Sequence, residues 1–171
     1  MKTELQNMLN DCENELNDID ARIQKLPPMD KGRSYLTNYA LIKASGTLEQ
    51  VYRSIIADYF LPLKDVRINN YLDKSIRSGP NSASYDNMSK LLKQFDKTWA
   101  DNFRDAIQKR ADSNKIISSS KSLVTNRHSF AHGKTITASF LDIRGYYTDV
   151  VEMIKILDQV VGSAGDGMAA T

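Results

Sequence analysis

Apolar residues recur at steps of three and four along almost the whole chain, and no segment alternates with period two long enough to make a convincing strand. This periodicity fixes the fold class: the chain must bury a series of amphipathic helices against one another. The first series is Leu5, Met8, Leu9, Cys12, Leu16, Ile19, Ile23 and Leu26, with Asp11, Glu13, Asp18 and Asp20 on the opposite, solvated face. Thr3 and Gln6 have capping-box spacing at its start. Pro27-Pro28 ends it, because proline lacks an amide donor and restricts the residue before it.

The pattern predicts a second, longer helix from about Ser34 to Phe60, with Leu41, Ala44, Leu48, Val51, Tyr52, Ile55, Ile56 and Tyr59 facing inward. Gly46 lies inside it, where glycine costs stability unless close helix packing requires it, and that packing is expected here. Glu49 borders the apolar stripe. It is either a surface glutamate or a partly buried counter-ion for a basic group. After Pro62, a short helix is expected from about Asp65 to Arg77. Ser78-Gly79-Pro80-Asn81-Ser82-Ala83-Ser84 reads as a connecting loop. Met88, Leu91, Leu92 and Phe95 form the next stripe. Trp99, Phe103, Ala106 and Ile107 follow after a break at Asp96-Lys97-Thr98.

Asp112 or Ser113 is placed to cap a further helix through Ile116, Ile117, Leu123, Val124, Phe130 and Ala131 to His132, with Gly133 just past its end. In the last helix Ser139 and Asp142 have capping spacing, and Leu141, Ile143, Tyr147, Val150, Val151, Ile154, Leu157 and Val161 supply the core side. The reading is an all-α bundle of about five to seven helices: one domain over residues 1–161, then a flexible tail over 162–171.

A net charge of +2 gives no global basic field, so any anion site must be local. The third quarter is the most basic part, with Lys90, Lys93, Lys97, Arg104, Lys109 and Arg110, although Asp96, Asp101 and Asp105 dilute it. A single cysteine, Cys12, allows neither an internal disulfide nor a cysteine-based zinc cluster and reads as core. No apolar run approaches membrane-span length, and the first residues lack the apolar region of a signal peptide, so a cytoplasmic location is expected.

Both histidines fall within Asn126-Arg127-His128-Ser129-Phe130-Ala131-His132-Gly133. At 100° per residue, Arg127 lies within the stripe of Ile116, Ser120, Leu123 and Phe130. A guanidinium there needs a partner, either a carboxylate such as Glu49 or a phosphate approaching a crevice. His132 falls roughly 140° from Arg127 on an ideal helix, so the two would not converge from a regular interior turn. His128 and His132, four apart, share a face, but no carboxylate or thiol stands at a matching step to complete a metal site. The spacing alone is weak. With 9 arginines and 2 histidines in the chain, an arginine four to six residues before a histidine would arise by chance in about a third of such sequences.

The context is more specific. Leu123-Val124-x-x-Arg127-His128-x-x-Ala131-His132-Gly133, a loop, a capped helix and Tyr146-Tyr147 together resemble the HEPN superfamily. In that family an Arg-x(4–6)-His motif, often with a polar residue after the arginine, closes a helix of an all-α bundle. Gly46-Thr47-Leu48-Glu49 and Leu91-Leu92-x-x-Phe95-Asp96 are similar to its RiboL-PSP-HEPN branch, so the resemblance spans most of residues 34–160.

The resemblance implies a homodimer that brings two motifs into one cleft. It implies a metal-independent endoribonuclease of toxin–antitoxin or antiviral-defence type, without a cofactor, with RNA as substrate and an antitoxin or defence-system protein as a further partner. Carried over by motif position, Arg127 and His132 are the catalytic pair and His128 takes the polar position; Asn126 and Glu49 are candidate supporting residues beside them. Lys134, Lys93 and Lys97 are candidate RNA contacts. The alternative is a HEPN dimer without activity that binds RNA, a nucleotide or a protein. One HEPN branch, paired with a nucleotidyltransferase antitoxin, carries a modifiable tyrosine two residues after the motif histidine; Lys134 stands at that position here.

The residues suit the chemistry. Histidine titrates near neutral pH and can transfer protons. Arginine stays charged and can bind two phosphate oxygens at once. The expected products carry 2′,3′-cyclic phosphate and 5′-OH ends, from a single-stranded substrate whose backbone can bend for in-line attack.

Overall fold

The computed structural model describes residues 1–163; residues 164–171, most of the expected tail, lie outside the described residues. Seven α-helices are present and, among the described residues, no strand. They are α1 (Thr3–Lys25), α2 (Lys31–Tyr59), α3 (Val66–Leu72), α4 (Tyr85–Phe95), α5 (Lys97–Gln108), α6 (Ser113–Ala131) and α7 (Phe140–Ser163). A 3₁₀ turn at Leu61–Leu63 precedes α3, and a π-helical turn, Asp73–Arg77, continues it.

The bundle is built around α2. It packs most extensively against α7, then against α1, and against α6 nearer the motif. Its second half is wrapped on nearly every side: Leu41, Ala44, Leu48, Val51, Tyr52 and Ile56 are all fully buried. Cys12, also fully buried, lies in the core stripe of α1. The Tyr147 hydroxyl donates to the Leu9 carbonyl at 2.7 Å and ties α7 to α1.

Helix boundaries follow local chemistry. Asp30 caps α2 through the Gly32 amide, and Asp65 caps α3 through Arg67. Asp96 leaves α4 in an extended conformation (φ −152°, ψ 124°) and accepts from the Thr98 amide at 2.6 Å, so one residue ends α4 and caps α5. At α7, the Asp142 carboxylate accepts from the Ser139 amide at 2.8 Å while the Asp142 amide donates to Ser139 Oγ at 3.2 Å, the expected reciprocal cap.

Several expectations are corrected. Thr3 is the first helical residue rather than a cap; Lys2 occupies the cap position and supplies no side-chain bond, so the Thr3–Gln6 capping box does not form. Asp112 stands at the N-cap of α6, but its carboxylate binds the Arg110 guanidinium at 2.8 and 3.0 Å instead of a helix amide. Gly46 is exposed, and a Cβ built there would meet nothing within 4 Å, so close packing does not explain it. Leu141 is 66% exposed, because at 100° per residue it lies on the face opposite the buried Ile143, Val150 and Val161. Gly162 and Ser163 belong to the last turn of α7 rather than to the tail.

Candidate functional site

The first turns of α6 bury Ile116, Ser119, Ser120 and Leu123 against the bundle, and its last buried position is Asn126. The Asn126 amide nitrogen donates to the Ser122 carbonyl at 2.9 Å, and its Oδ1 accepts from the amides of Thr137 and Ala138 at 3.0 and 3.2 Å. A polar side chain this buried needs such partners. Here they fasten the connection after the motif back onto the helix that carries it.

Beyond Asn126 the helix leaves the core. Phe130 is 37% exposed, although it shares the stripe of Ile116, Ser120 and Leu123, and Ala131 is exposed. Gly133 adopts φ +72°, the Gly133 amide bonds to the Phe130 carbonyl at 3.0 Å, and the Lys134 amide bonds to the Ser129 carbonyl at 2.9 Å. This pair of bonds is a Schellman termination, which requires a left-handed residue and so favours glycine. His132 itself stays tethered, its amide donating to the His128 carbonyl at 3.1 Å.

The two imidazoles therefore sit one above the other, with ring centres 4.3 Å apart and planes inclined at 62°. With Ser129 and Lys134 they line an open cleft of about 290 Å³. Two imidazoles, a hydroxyl and an ammonium suit an anion. Among the described residues, no three His, Cys, Asp or Glu side chains come together as a metal-binding group.

Arg127 occupies a different face and does not line the histidine cleft. Its side chain is 43% exposed, and its Nη2 lies 3.8 Å from Glu49 Oε2, an ion pair too long for a hydrogen bond. Both partners foreseen for this arginine thus have room: a carboxylate on the bundle side and open solvent on the other. Glu49 is buried on α2, and burial pushes its carboxyl above the usual range although Arg127 and Arg53 pull it back. Arg53 donates to Glu49 Oε2 at 3.3 Å and to the carbonyl of Asn81 at 2.8 Å.

Of the lysines, Lys134 reaches the cleft. Lys93 is exposed on α4, and Lys97 on α5 is ion-paired to Asp101; neither lines the cleft.

Two features went unread in the sequence. Arg53 follows Glu49 by four residues on α2, an ordinary helical pair whose anchoring to the Asn81 loop depends on tertiary contact. Tyr35, Asn38, Tyr39 and Ile42, at helical steps on the first half of α2, line an apolar hollow of about 470 Å³ with Phe130 of α6. Tyr35, Tyr39 and Ile42 are exposed by 68%, 50% and 41%, so this stripe faces away from the chain's own core.

A sequence profile describing RiboL-PSP-HEPN matches residues 7–163. The chain belongs to the RiboL-PSP-HEPN family. No curated protein and no solved structure matches it. Arg127 lies on α6 and His132 at its C-terminal cap, both within the matched range, on the helix that packs against α2 and α7. Among the described residues of this HEPN domain, no helix is long and apolar enough to cross a membrane.

Proposed function

We propose that this HEPN domain is a metal-independent endoribonuclease acting on single-stranded RNA, in the setting of a toxin–antitoxin or antiviral-defence system. The observation that carries this reading is the pairing of an open cleft of two imidazoles and an ammonium with a half-exposed arginine on the same helix end. His132 takes the proton from the 2′-OH or delivers one to the leaving 5′-oxygen. Arg127 stabilises the charge that develops on the phosphorane. The 2′-oxygen attacks phosphorus as the bond to the 5′-oxygen breaks, leaving 2′,3′-cyclic phosphate and 5′-OH ends. His128 supports the His132 ring, and Lys134 holds a neighbouring phosphate; Lys93 extends the RNA path along α4.

Because Arg127 and His132 do not line one cleft within a single chain, the site is read as composite. A second copy seated on the hollow of Tyr35, Tyr39, Ile42 and Phe130 would cover the exposed apolar stripe and bring the two motif ends together, since Phe130 lies between Arg127 and His132. The same separation favours a second reading, a dimer without activity that binds RNA, a nucleotide or a protein.

Incubation with single-stranded RNA in EDTA separates the two. Wild type should cut and leave 2′,3′-cyclic phosphate ends, and Arg127→Ala and His132→Ala should each lower the rate by about 10²–10⁴-fold. An inert wild type, or variants that cut equally well, removes the nuclease reading.

A further inference from the structure

Glu49 stands between two arginines that are held very differently. Arg53 is as buried as the carboxylate it touches, with side-chain exposures of 11% and 10%. Its donors are engaged: Nε with the Asn81 carbonyl at 2.8 Å, Nη2 with the same carbonyl and with Glu49 at 3.3 Å, and Nη1 with the Arg77 carbonyl at 3.4 Å. The Tyr52 hydroxyl also donates to the Asn81 carbonyl, at 2.9 Å. Arg127, by contrast, makes no hydrogen bond to the described residues and keeps nearly half its surface in solvent. We infer that Arg53 is a positioning residue for Arg127. Clamped to the loop after Arg77, it keeps the buried Glu49 carboxylate fixed and helps to keep it charged, and Glu49 in turn holds Arg127 against α2 with its N–H groups free for phosphate. This deepens the proposed function and rests on Arg127 being the phosphate-binding group.

The charge balance explains why two arginines are needed. A carboxylate removed from water is stable in its charged form only with compensating cations, and Arg127 and Arg53 together pull the buried Glu49 carboxyl down against its desolvation. The groups facing Glu49 are Arg53 and Tyr52 from α2 and Arg127 from α6, and burial pushes the Tyr52 hydroxyl up, so it adds no charge. From the loop side come carbonyls that bind Arg53 and orient it. Without Arg53 one of the two compensating charges is lost, the Glu49 carboxyl rises further, and its ionic hold on Arg127 weakens.

The test uses the full chain and a fluorescent 2′-O-methyl single-stranded RNA, which binds but cannot be cut. Arg53→Met should weaken binding roughly tenfold, as expected when a phosphate-binding group is misplaced. In an Arg127→Ala background the same change should cost less than about twofold, because partners acting through one another are not additive. Carboxyl carbon NMR should show the Glu49 titration midpoint rising by about one unit in Arg53→Met, and Arg53→Lys, which keeps the charge and tolerates a milder perturbation of the fold, should restore most of it. Equal binding losses with and without Arg127, an unmoved Glu49 midpoint, or a wild type whose binding ignores Arg127→Ala overturns the inference. A wild type that binds through Arg127 but cuts no natural RNA removes the nuclease reading and leaves the positioning role standing.

Discussion

The two halves of α2 obey the same helical period and do opposite things with it. From Ala44 to Ala57 the helix packs against α1, α6 and α7, and even its polar Ser45, Thr47, Glu49 and Ser54 are buried. In its first half Tyr35, Tyr39 and Ile42 face outward, next to Phe130 and the end of the motif helix, while Leu36 and Leu41 turn to the core. Periodicity reports that a face is apolar; it does not report whether the chain's own core covers it. The enclosed half supplies stability and the ionic clamp on Arg127. The open half supplies a surface that the proposed second copy would fill.

The contrast can be broken by substitution. Leu48→Ala, in the enclosed half, should destabilise the fold by about 2–5 kcal/mol in chemical denaturation, through lost burial and the cavity left behind. Ile42→Asp, in the open half, should leave the unfolding midpoint of dilute protein nearly unchanged. It should nevertheless abolish self-association in sedimentation and lower RNA cleavage by about a hundredfold, a change of ~2.7 kcal/mol. If Ile42→Asp unfolds the protein as Leu48→Ala does, the open half is core after all, and the comparison collapses.

Smaller effects sharpen it. Gly133→Ala should cost about 1 kcal/mol, because φ +72° is unfavourable for any residue with a Cβ while the space around it is open. Gly46→Ala should stabilise by about 0.5–1 kcal/mol, since the position is helical, exposed and uncrowded.

Glu49→Gln tests the enclosed half by pH. The folded carboxyl is raised above its ordinary value, so the native state keeps a proton that the unfolded chain has already lost. That contribution is fully present below the unfolded value of 4.5 and is lost as pH rises through the raised folded value. Wild-type stability should therefore fall across that window relative to Glu49→Gln, measured by denaturation at successive pH values. Parallel stability–pH curves for the two proteins would show that burial does not dominate at Glu49.

Much of the fold was legible because its signals are local. Pro27-Pro28 ends α1, Asp96 divides α4 from α5, and the Ser139–Asp142 pair starts α7, each through a backbone donor or acceptor within a few residues. Where local signals failed, a competing partner intervened or a suitable residue lacked the geometry. Arg110 draws the Asp112 carboxylate away from the helix amides, and Thr3 lies one residue inside the helix it was expected to cap. Phe130 carries the right phase but sits at the end of α6, and Leu141 lies on the face of α7 opposite Ile143, Val150 and Leu157.

The candidate site divides the same way. The sequence by itself determined the helical class, the placement of Arg127 and His132 on divergent faces of one helix, and the glycine that ends it, because each follows from 100° per residue and the cost of a left-handed Cβ. Tertiary structure alone decided that Glu49 is the buried partner of Arg127, that Arg53 is locked to the Asn81 carbonyl, and that Tyr35, Tyr39 and Ile42 stay uncovered beside the motif. These depend on which surfaces of α2 the other helices cover, and burial by distant segments sets both the cost of a charge and the exposure of an apolar face.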